Sequence, residues 1–234
     1  MGFFDCHIHV HQGLDGYNAD MLDGNIIFNT IVDYKKYNIE FPNLHHSLIF
    51  DSTVDLQFYD HLISNKKIRA LKIHSRLQKI SENDYNTLIN SLQSLDSNIP
   101  IIYDAFYFGS DLNYQPSLKG LIQLIKAFPS RKFIIAHAGG YELLKYFFHL
   151  REFKNVGFDM SFSLQYLHDT STSKDIIKLF KYTDSQRIFF GSDYPFADPQ
   201  LQFENLNEYF DILNFNTKSI EGILKFNWLN FTDI

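Results

Sequence analysis

The segment that opens the sequence places histidines and an aspartate at alternating positions. Residues 3–11 read FFDCHIHVH. Alternate side chains of a β-strand point to opposite faces, so His7 and His9 share a face with Asp5 and His11. Two imidazoles at this spacing can reach one metal ion, whereas the polar face of an ordinary antiparallel strand usually carries Thr, Lys and Glu. The segment therefore predicts a metal site.

Other polar side chains follow later strand-like segments. Residues 132–137 read KFIIAH, so an apolar run after Lys132 ends in His137, and two glycines come soon after it. Residues 187–193 likewise end in Asp193. The remaining residues of this kind are Lys72, His74, Asp104 and Asp159. Each alone could be structural, as a hydrogen-bonded core histidine, a turn aspartate or one partner of an internal ion pair. Their common place at strand ends favours a site, because active sites of parallel barrels lie at those ends.

The elements that would position these residues alternate along the chain. From residue 69 onward, short strand-like runs alternate with amphipathic helical patterns, such as residues 82–95 and 173–182. This alternation predicts a parallel sheet, and about eight strands most economically close into a (β/α)8 TIM barrel. After residue 201 the pattern predicts two helices with a break near residues 215–217.

The first part of the chain leaves less room for helices. The predicted second and third strands cover residues 25–32 and 47–50, and the polar stretch between them contains Pro42. Residues 11–24 are rich in Gly, Asp and Asn and predict a loop, with at most one helical turn near residues 19–22. We therefore expect a distorted barrel whose first two helical units are short.

Composition limits the class of protein. The chain has 234 residues, 45% of them hydrophobic, and no composition break, so we expect one domain over residues 1–234. A net charge of −6 without a basic block argues against nucleic acid as a partner. The single cysteine, Cys6, excludes an internal disulfide and fits a reducing cytoplasm. No signal peptide or membrane-spanning run is evident, so we expect a cytoplasmic protein without a membrane partner.

Three motifs in order resemble the amidohydrolase superfamily. They are DCHIH at 5–9, AHAGG at 136–140 and GSDYP at 191–195. The closest branch is the amidohydrolase-2 type, which includes aminocarboxymuconate-semialdehyde decarboxylase and related metal-dependent hydrolases. LKIH at 71–74 and ILKFNWLNF at 223–231 resemble further segments of this branch. The resemblance spans almost the whole chain and implies a TIM-barrel hydrolase that acts on an amide, ester or lactone of a small molecule.

The resemblance also implies a role for each matched residue. His7 and His9 would bind a divalent metal ion, usually zinc. Asp193 would bind the same metal and accept a proton from the water that the metal activates, and His137 would assist that water or polarise the substrate. The residues that would line the cavity and contact substrate are Lys72, His74 and Asp159. We interpret Asp5 as a buried structural carboxylate and place His11 in the loop beyond the metal.

The chain departs from the family pattern at the fifth strand, where members commonly carry a histidine ligand. Residues 99–104 read IPIIYD and put Asp104 at that position. A carboxylate can ligate zinc but makes the site harder and less Lewis acidic. Asp104 replaces the histidine as a metal ligand, or fewer protein groups hold the metal, or activity has been lost. A carboxylated Lys72 that bridges two metals is a further alternative.

Three other functions compete with hydrolysis. Non-oxidative decarboxylation occurs in the same branch, and Arg76, close after the predicted strand at residues 69–74, is the candidate for binding a carboxylate. A phosphoesterase of the polymerase and histidinol phosphatase kind also begins with a pair of histidines, but usually continues its late GSD with Ala-His, where this chain has Tyr194 and Pro195. A catalytically silent barrel used for binding is favoured by Asp104. The aromatic loops 106–116 and 162–172 could stack on a substrate ring or form homodimer contacts.

Overall fold

The strands form one parallel sheet in the order of the sequence. The computed structural model describes residues 3–9, 23–95 and 97–232 of the chain. The strands are β1 (Asp5–His9), β2 (Gly24–Phe28), β3 (His45–Ile49), β4 (Ala70–Ile73), β5 (Ile101–Asp104), β6 (Phe133–Ala136), β7 (Val156–Asp159) and β8 (Ile188–Phe189). Each strand pairs in parallel with the next, from β1 to β8.

The residues that follow β8 bring the sheet back to β1. The backbone N–H of Cys6 donates to the carbonyl of Phe190 at 3.0 Å, and the N–H of Asp193 donates to the carbonyl of His7 at 2.8 Å. Ile8 also forms a parallel bridge with Tyr194. These contacts produce a nearly closed barrel with helices between its strands, which confirms the predicted TIM-barrel fold.

The helices occupy the connections between strands and the end of the chain. They are α1 (Ile31–Tyr37), α2 (Leu56–Ser64), α3 (Ser75–Gln78), α4 (Tyr85–Gln93), α5 (Leu118–Ala127), α6 (Leu143–Leu150), α7 (Ser163–Tyr166), α8 (Ser173–Tyr182), α9 (Pro199–Leu213), α10 (Thr217–Glu221) and α11 (Asn227–Thr232). A π-helical turn, Gly222–Phe226, joins the last two. In the described ranges no helix is both long and apolar enough to cross a membrane.

The second predicted strand was too long, and a helix begins inside it. Thr30 is the N-cap of α1, where its hydroxyl accepts from the backbone N–H of Asp33 at 2.9 Å. This cap overrides the strand tendency of the β-branched residues before it. With seven residues, α1 agrees with the expectation of a short helical unit. The connection from β1 to β2, with the predicted turn at residues 19–22 and with His11, lies outside the described residues.

A bulge in β1 changes which side chains face the barrel interior. The pairing register with β2 moves from Asp5 opposite Gly24 to Ile8 opposite Ile26, which leaves one extra residue in β1. The side chain of Cys6 therefore packs with residues inside the barrel, although strict alternation would put it on the same face as Ile8. Its cluster closes the lower part of the barrel and comprises Phe4, Cys6, Ile27, Ala70, Ile102, Ile134, Ala136, Phe189, Trp228 and Phe231. Above this apolar layer, polar side chains fill the barrel mouth.

Candidate functional site

A cavity of about 450 Å³ opens at the carboxyl ends of the strands. Its polar lining residues are His9, Asn29, Lys72, His74, Arg76, Asp104, His137 and Asp193. Its apolar walls are Leu77, Phe106, Phe108, Phe162 and Phe196. The cavity therefore combines a charged floor with aromatic sides, as small-molecule sites commonly do.

Three donor atoms from opposite ends of the sequence converge on the cavity floor. His7 Nε2 and His9 Nε2 are 3.1 Å apart. Asp193 Oδ1 lies 3.4 Å from His7 Nε2 and 3.2 Å from His9 Nε2. A tetrahedral zinc ion with bonds of about 2.0–2.1 Å holds its ligand atoms about 3.3–3.4 Å apart. The spacing and chemistry of this donor set therefore fit a single divalent ion.

Hydrogen bonds behind the two imidazoles aim them at the same point. His7 Nδ1 donates to Asp159 Oδ2 at 2.5 Å, and His9 Nδ1 donates to the carbonyl of Ile27 at 3.1 Å. With Nδ1 protonated, each ring presents the lone pair of Nε2, which is how metal-binding histidines are usually oriented. Burial and the nearby Lys72 charge lower the pKa of both rings, to about 4 for His9, so both are neutral at neutral pH.

Asp159 does not lie where the sequence suggested. It was expected to line the cavity, but it is 1% exposed and sits behind His7. Its Oδ1 accepts from the backbone N–H of Ser161 at 2.8 Å, and its Oδ2 accepts from the Ser161 hydroxyl at 2.9 Å. Asp159 can therefore orient His7 but cannot reach a ligand in the cavity.

Asp193 is fixed in a backbone conformation that aims its carboxylate at the histidines. Its φ is 70°, in the left-handed region that non-glycine residues rarely adopt. Two residues earlier, a β-carbon on Gly191 would lie 2.7 Å from Asp159 Oδ1 and 3.0 Å from His7 Cβ, so only glycine fits there. Burial raises the pKa of Asp193, but the His137 charge and the His9 hydrogen bond outweigh it and lower the pKa below its usual range.

His137 begins a tight turn that follows β6. His137 and Ala138 have φ values of 57° and 48°, and Gly139 and Gly140 continue with positive φ. Its Nδ1 donates to the carbonyl of Ser161 at 3.1 Å, and its Nε2 lies 3.5 Å from Asp104 Oδ2. His7, His137 and Asp193 also form a group whose ligand atoms all lie within 4.8 Å of one another. Burial acts to lower the pKa of His137, but Asp193 and Asp104 raise it to about 9.

Lys72 and Asp104 form a buried ion pair beside the two strand-one histidines. Lys72 Nζ lies 3.4 Å from Asp104 Oδ2, 3.3 Å from His7 Nε2 and 3.5 Å from His9 Nε2. The same Asp104 oxygen lies 3.5 Å from His74 Nε2. Although burial raises the pKa of Asp104, the His74 and Lys72 charges hold it well below its usual range. Asp104 is therefore ionised inside the barrel.

The sequence analysis did not identify Ser161, whose hydroxyl contacts several residues of the site. Besides Asp159, its hydroxyl lies 3.1 Å from Nδ1 of His7 and 3.1 Å from Nδ1 of His137. The only available signal was its position two residues after Asp159, which keeps both side chains on one face of an extended chain. Asp5 is buried as expected, and its Oδ1 accepts from the backbone N–H of His7 at 3.1 Å and of Ser192 at 2.8 Å.

Comparison with known proteins gives one family match over part of the chain and a shared fold. The family model described as amidohydrolase, of the amidohydrolase-2 type, matches residues 116–216. No curated protein matches the chain. This family match confirms the predicted resemblance to the amidohydrolase superfamily, amidohydrolase-2 type, and the solved structures below share the TIM-barrel fold.

Three solved structures illustrate the shared fold. A 2,6-dihydroxybenzoate decarboxylase from Rhizobium is 11% identical over 99% of this chain and 98% of its own, with a TM-score of 0.66. A probable 2-pyrone-4,6-dicarboxylic acid hydrolase from Acinetobacter baumannii is 15% identical over 99% of both chains, with a TM-score of 0.64. A dihydroxybenzoic acid decarboxylase from Polaromonas, with bound manganese, is 12% identical over 99% of this chain and 96% of its own, with a TM-score of 0.61.

Proposed function

We propose that this chain of the amidohydrolase-2 type is a metal-dependent hydrolase that cleaves an amide, ester or lactone of a small molecule. One observation carries the proposal. His7 Nε2, His9 Nε2 and Asp193 Oδ1 lie 3.1–3.4 Å from one another on the floor of the cavity, with the lone pairs of both imidazoles facing inward. Structural reasons alone rarely bring two neutral imidazoles and an ionised carboxylate together below an open cavity.

His7, His9 and Asp193 would hold one divalent ion, and His137 lies beside it, with its ligand atom within 4.8 Å of those of His7 and Asp193. A bound ion of this kind supplies Lewis acidity to a substrate oxygen and makes water more acidic. Neutral nitrogen donors with one carboxylate suit zinc, which is the ion we propose. The manganese-bound decarboxylase with a similar fold makes manganese the first alternative to test.

Asp193 and His137 would move the proton. The carboxylate of Asp193 is ionised and can accept a proton from the attacking water. His137, whose pKa is raised to about 9, is protonated at neutral pH and can donate from Nε2 to the oxygen that becomes negative or to the leaving group. Phe106 and Phe162 pack edge to face beside His137 and would keep bulk water away from this step.

Non-oxidative decarboxylation is the second candidate, because a cation is available in the same cavity. The guanidinium of Arg76 lies 5.4 Å from the ring centre of Phe108 on the cavity wall. It could bind the carboxylate of an aromatic acid. Two of the proteins with a similar fold are decarboxylases by name.

The test combines metal analysis with an Asp193→Asn variant. The probes are a chromogenic aryl ester, a lactone, an anilide and a dihydroxybenzoic acid, each offered to protein loaded with zinc or manganese. We expect about one ion per chain and turnover of at least one probe. In Asp193→Asn, we expect the metal affinity and the turnover rate each to fall by about 100-fold. Asp169→Asn, at a fully exposed carboxylate, is the matched control.

The outcomes separate the candidates. Incorporation of oxygen-18 from labelled water into the product indicates hydrolysis, whereas release of carbon dioxide without it indicates decarboxylation. Full metal retention together with undiminished turnover in Asp193→Asn would contradict both. Tight metal binding without turnover of any probe would favour the silent binding barrel.

A further inference from the structure

The Lys72 ammonium occupies an unusual position for a cation in a metal site. It is 1% exposed and touches Nε2 of both His7 and His9, the two nitrogens whose lone pairs would bind the ion. Asp193 approaches the same nitrogens but has no ion-pair contact with Lys72 among the described residues. The two imidazoles are thus shared between a carboxylate and an ammonium.

Asp104 faces the ammonium and not the imidazoles of β1. Its Oδ2 is 3.4 Å from Lys72 Nζ and 3.5 Å from Nε2 of both His74 and His137, and its Oδ1 accepts from the backbone N–H of Phe106 at 3.3 Å. In the part of the chain that the structure describes, Asp104 forms no ion pair with His7 or His9. Both of its oxygens therefore have other partners, although the sequence pattern puts Asp104 at the strand-five ligand position.

Electrostatics gives this arrangement a function. An ammonium next to a divalent ion would repel it strongly, because both are cations in a buried environment. A carboxylate paired with the ammonium offsets part of that repulsion without itself being a metal ligand. Since β4 and β5 are neighbouring strands, Lys72 and Asp104 project into the barrel from adjacent strands and stay paired.

We infer that Lys72 and Asp104 act together as a fixed, neutral pair: the ammonium fills the side of His7 and His9 that a second ion would need, and Asp104 is its counter-ion and not a metal ligand. This inference rests on the proposed metal site. It makes the site mononuclear and makes Asp104 a positioning residue. It also explains how a carboxylate can occupy the strand-five position, where the family pattern has a neutral histidine, without adding a second negatively charged ligand to the metal.

Charge pairing and direct ligation predict opposite results in a double-variant cycle. If Asp104 is a counter-ion, Asp104→Asn leaves an uncompensated ammonium and weakens zinc binding by about 10- to 100-fold. Lys72→Met removes the repulsion and strengthens binding by about tenfold. The double variant Lys72→Met/Asp104→Asn is again neutral, so its affinity should return to within about threefold of wild type. If Asp104 is a ligand, the double variant still lacks one donor, so it should bind zinc clearly more weakly than wild type and its cobalt spectrum should change.

The measurements are zinc affinity by competition with a chromophoric chelator, zinc content per chain, and the visible absorption of the cobalt-substituted protein. Cobalt absorption depends on the number and type of ligands. We expect one ion per chain and the same cobalt spectrum in wild type and in the double variant. Removing one partner of a buried pair can unfold a protein. If the single variants do not fold, the zinc affinity and the cobalt spectrum of the double variant decide between the two models.

Two different failures can be told apart. Two ions per chain, a changed cobalt spectrum in the double variant, or a double variant that binds zinc clearly more weakly than wild type would overturn this inference and leave the proposed function standing. A wild-type protein that binds neither zinc nor cobalt at this site, with Asp193→Asn indistinguishable from it, would overturn the proposed function and this inference with it.

Discussion

At the scale of single residues, the site depends on side chains that never face the cavity. His7 is completely buried between Asp159 on one side and the Asp193 and Lys72 groups on the other. The 2.5 Å contact with Asp159 fixes the tautomer of the ring and therefore which nitrogen it presents. An oriented ligand binds a metal more tightly than a free one, because less rotational freedom is lost on binding.

Replacing Asp159 should weaken metal binding without unfolding the protein. Asp159→Asn keeps the shape of the side chain but removes its charge, so His7 becomes a poorer and less well oriented donor. We expect zinc affinity to fall by about tenfold, measured by chelator competition. Asp169→Asn is the control at an exposed carboxylate. An unchanged affinity in Asp159→Asn would show that the orientation of His7 does not depend on this contact.

The sequence could identify the residues of the site better than their partners. His7, His9, His137 and Asp193 stand in short motifs at strand ends, so their common location follows from barrel topology alone. The position of Asp159 behind His7 could not be predicted, because the two residues are 152 positions apart and meet only through the geometry of the closed barrel.

At the scale of elements, α9 supports the segment that carries Asp193. The helix begins after Asp198, whose carboxylate accepts from the backbone N–H groups of Gln200 and Leu201. In its first turns, the fully buried Gln202 donates from Nε2 to the carbonyl of Ser192 at 2.9 Å. This bond fixes the backbone directly before Asp193. The start of α9 therefore contributes to the geometry of the site.

Removing the cap of α9 should cost stability. In Asp198→Ala the first turn of the helix loses its acceptor, and we expect the free energy of unfolding to fall by about 1 kcal/mol. Urea denaturation monitored by circular dichroism measures this free energy. Asp211→Ala is the matched control at the other end of the same helix, where a carboxylate opposes the helix dipole and its loss should be neutral or slightly stabilising. Equal effects of the two variants would contradict a capping role for Asp198.

Elements whose hydrophobic pattern favours one type of secondary structure were predicted well, and elements that are very short or in which tertiary contacts override the pattern were not. The pattern over residues 173–182 predicts α8 with the same bounds as the structure. The last strand was predicted over residues 187–193, but only Ile188–Phe189 pair with β7, since the following residues turn to bond with β1. The short helices α3 and α7 were missed because four residues are too few to produce a helical period.

At the scale of the whole molecule, barrel closure and site formation are one event. The polar floor draws side chains from β1, β4, β5 and β7 and from the segments after β6 and β8, so no smaller part of the chain can assemble it. The described residues bury several charges at this place, including Lys72, Asp104, Asp159 and Asp193, and attraction among these charges opposes the unfavourable desolvation of each. A bound divalent ion would add favourable interactions with His7, His9 and Asp193 that exist only in the folded barrel.

Metal removal should therefore lower the melting temperature of the protein. At a free zinc concentration of about 100 times the dissociation constant, binding to the folded state adds about 2.7 kcal/mol. For a chain of 234 residues this corresponds to a shift of about 5–10 °C between zinc-loaded protein and protein treated with a chelator. Asp193→Asn should melt at the same temperature under both conditions, since it lacks one of the three converging donors. A wild-type protein that binds one zinc ion but melts at the same temperature with and without chelator would place the ion outside the folded barrel and contradict the assignment of His7, His9 and Asp193.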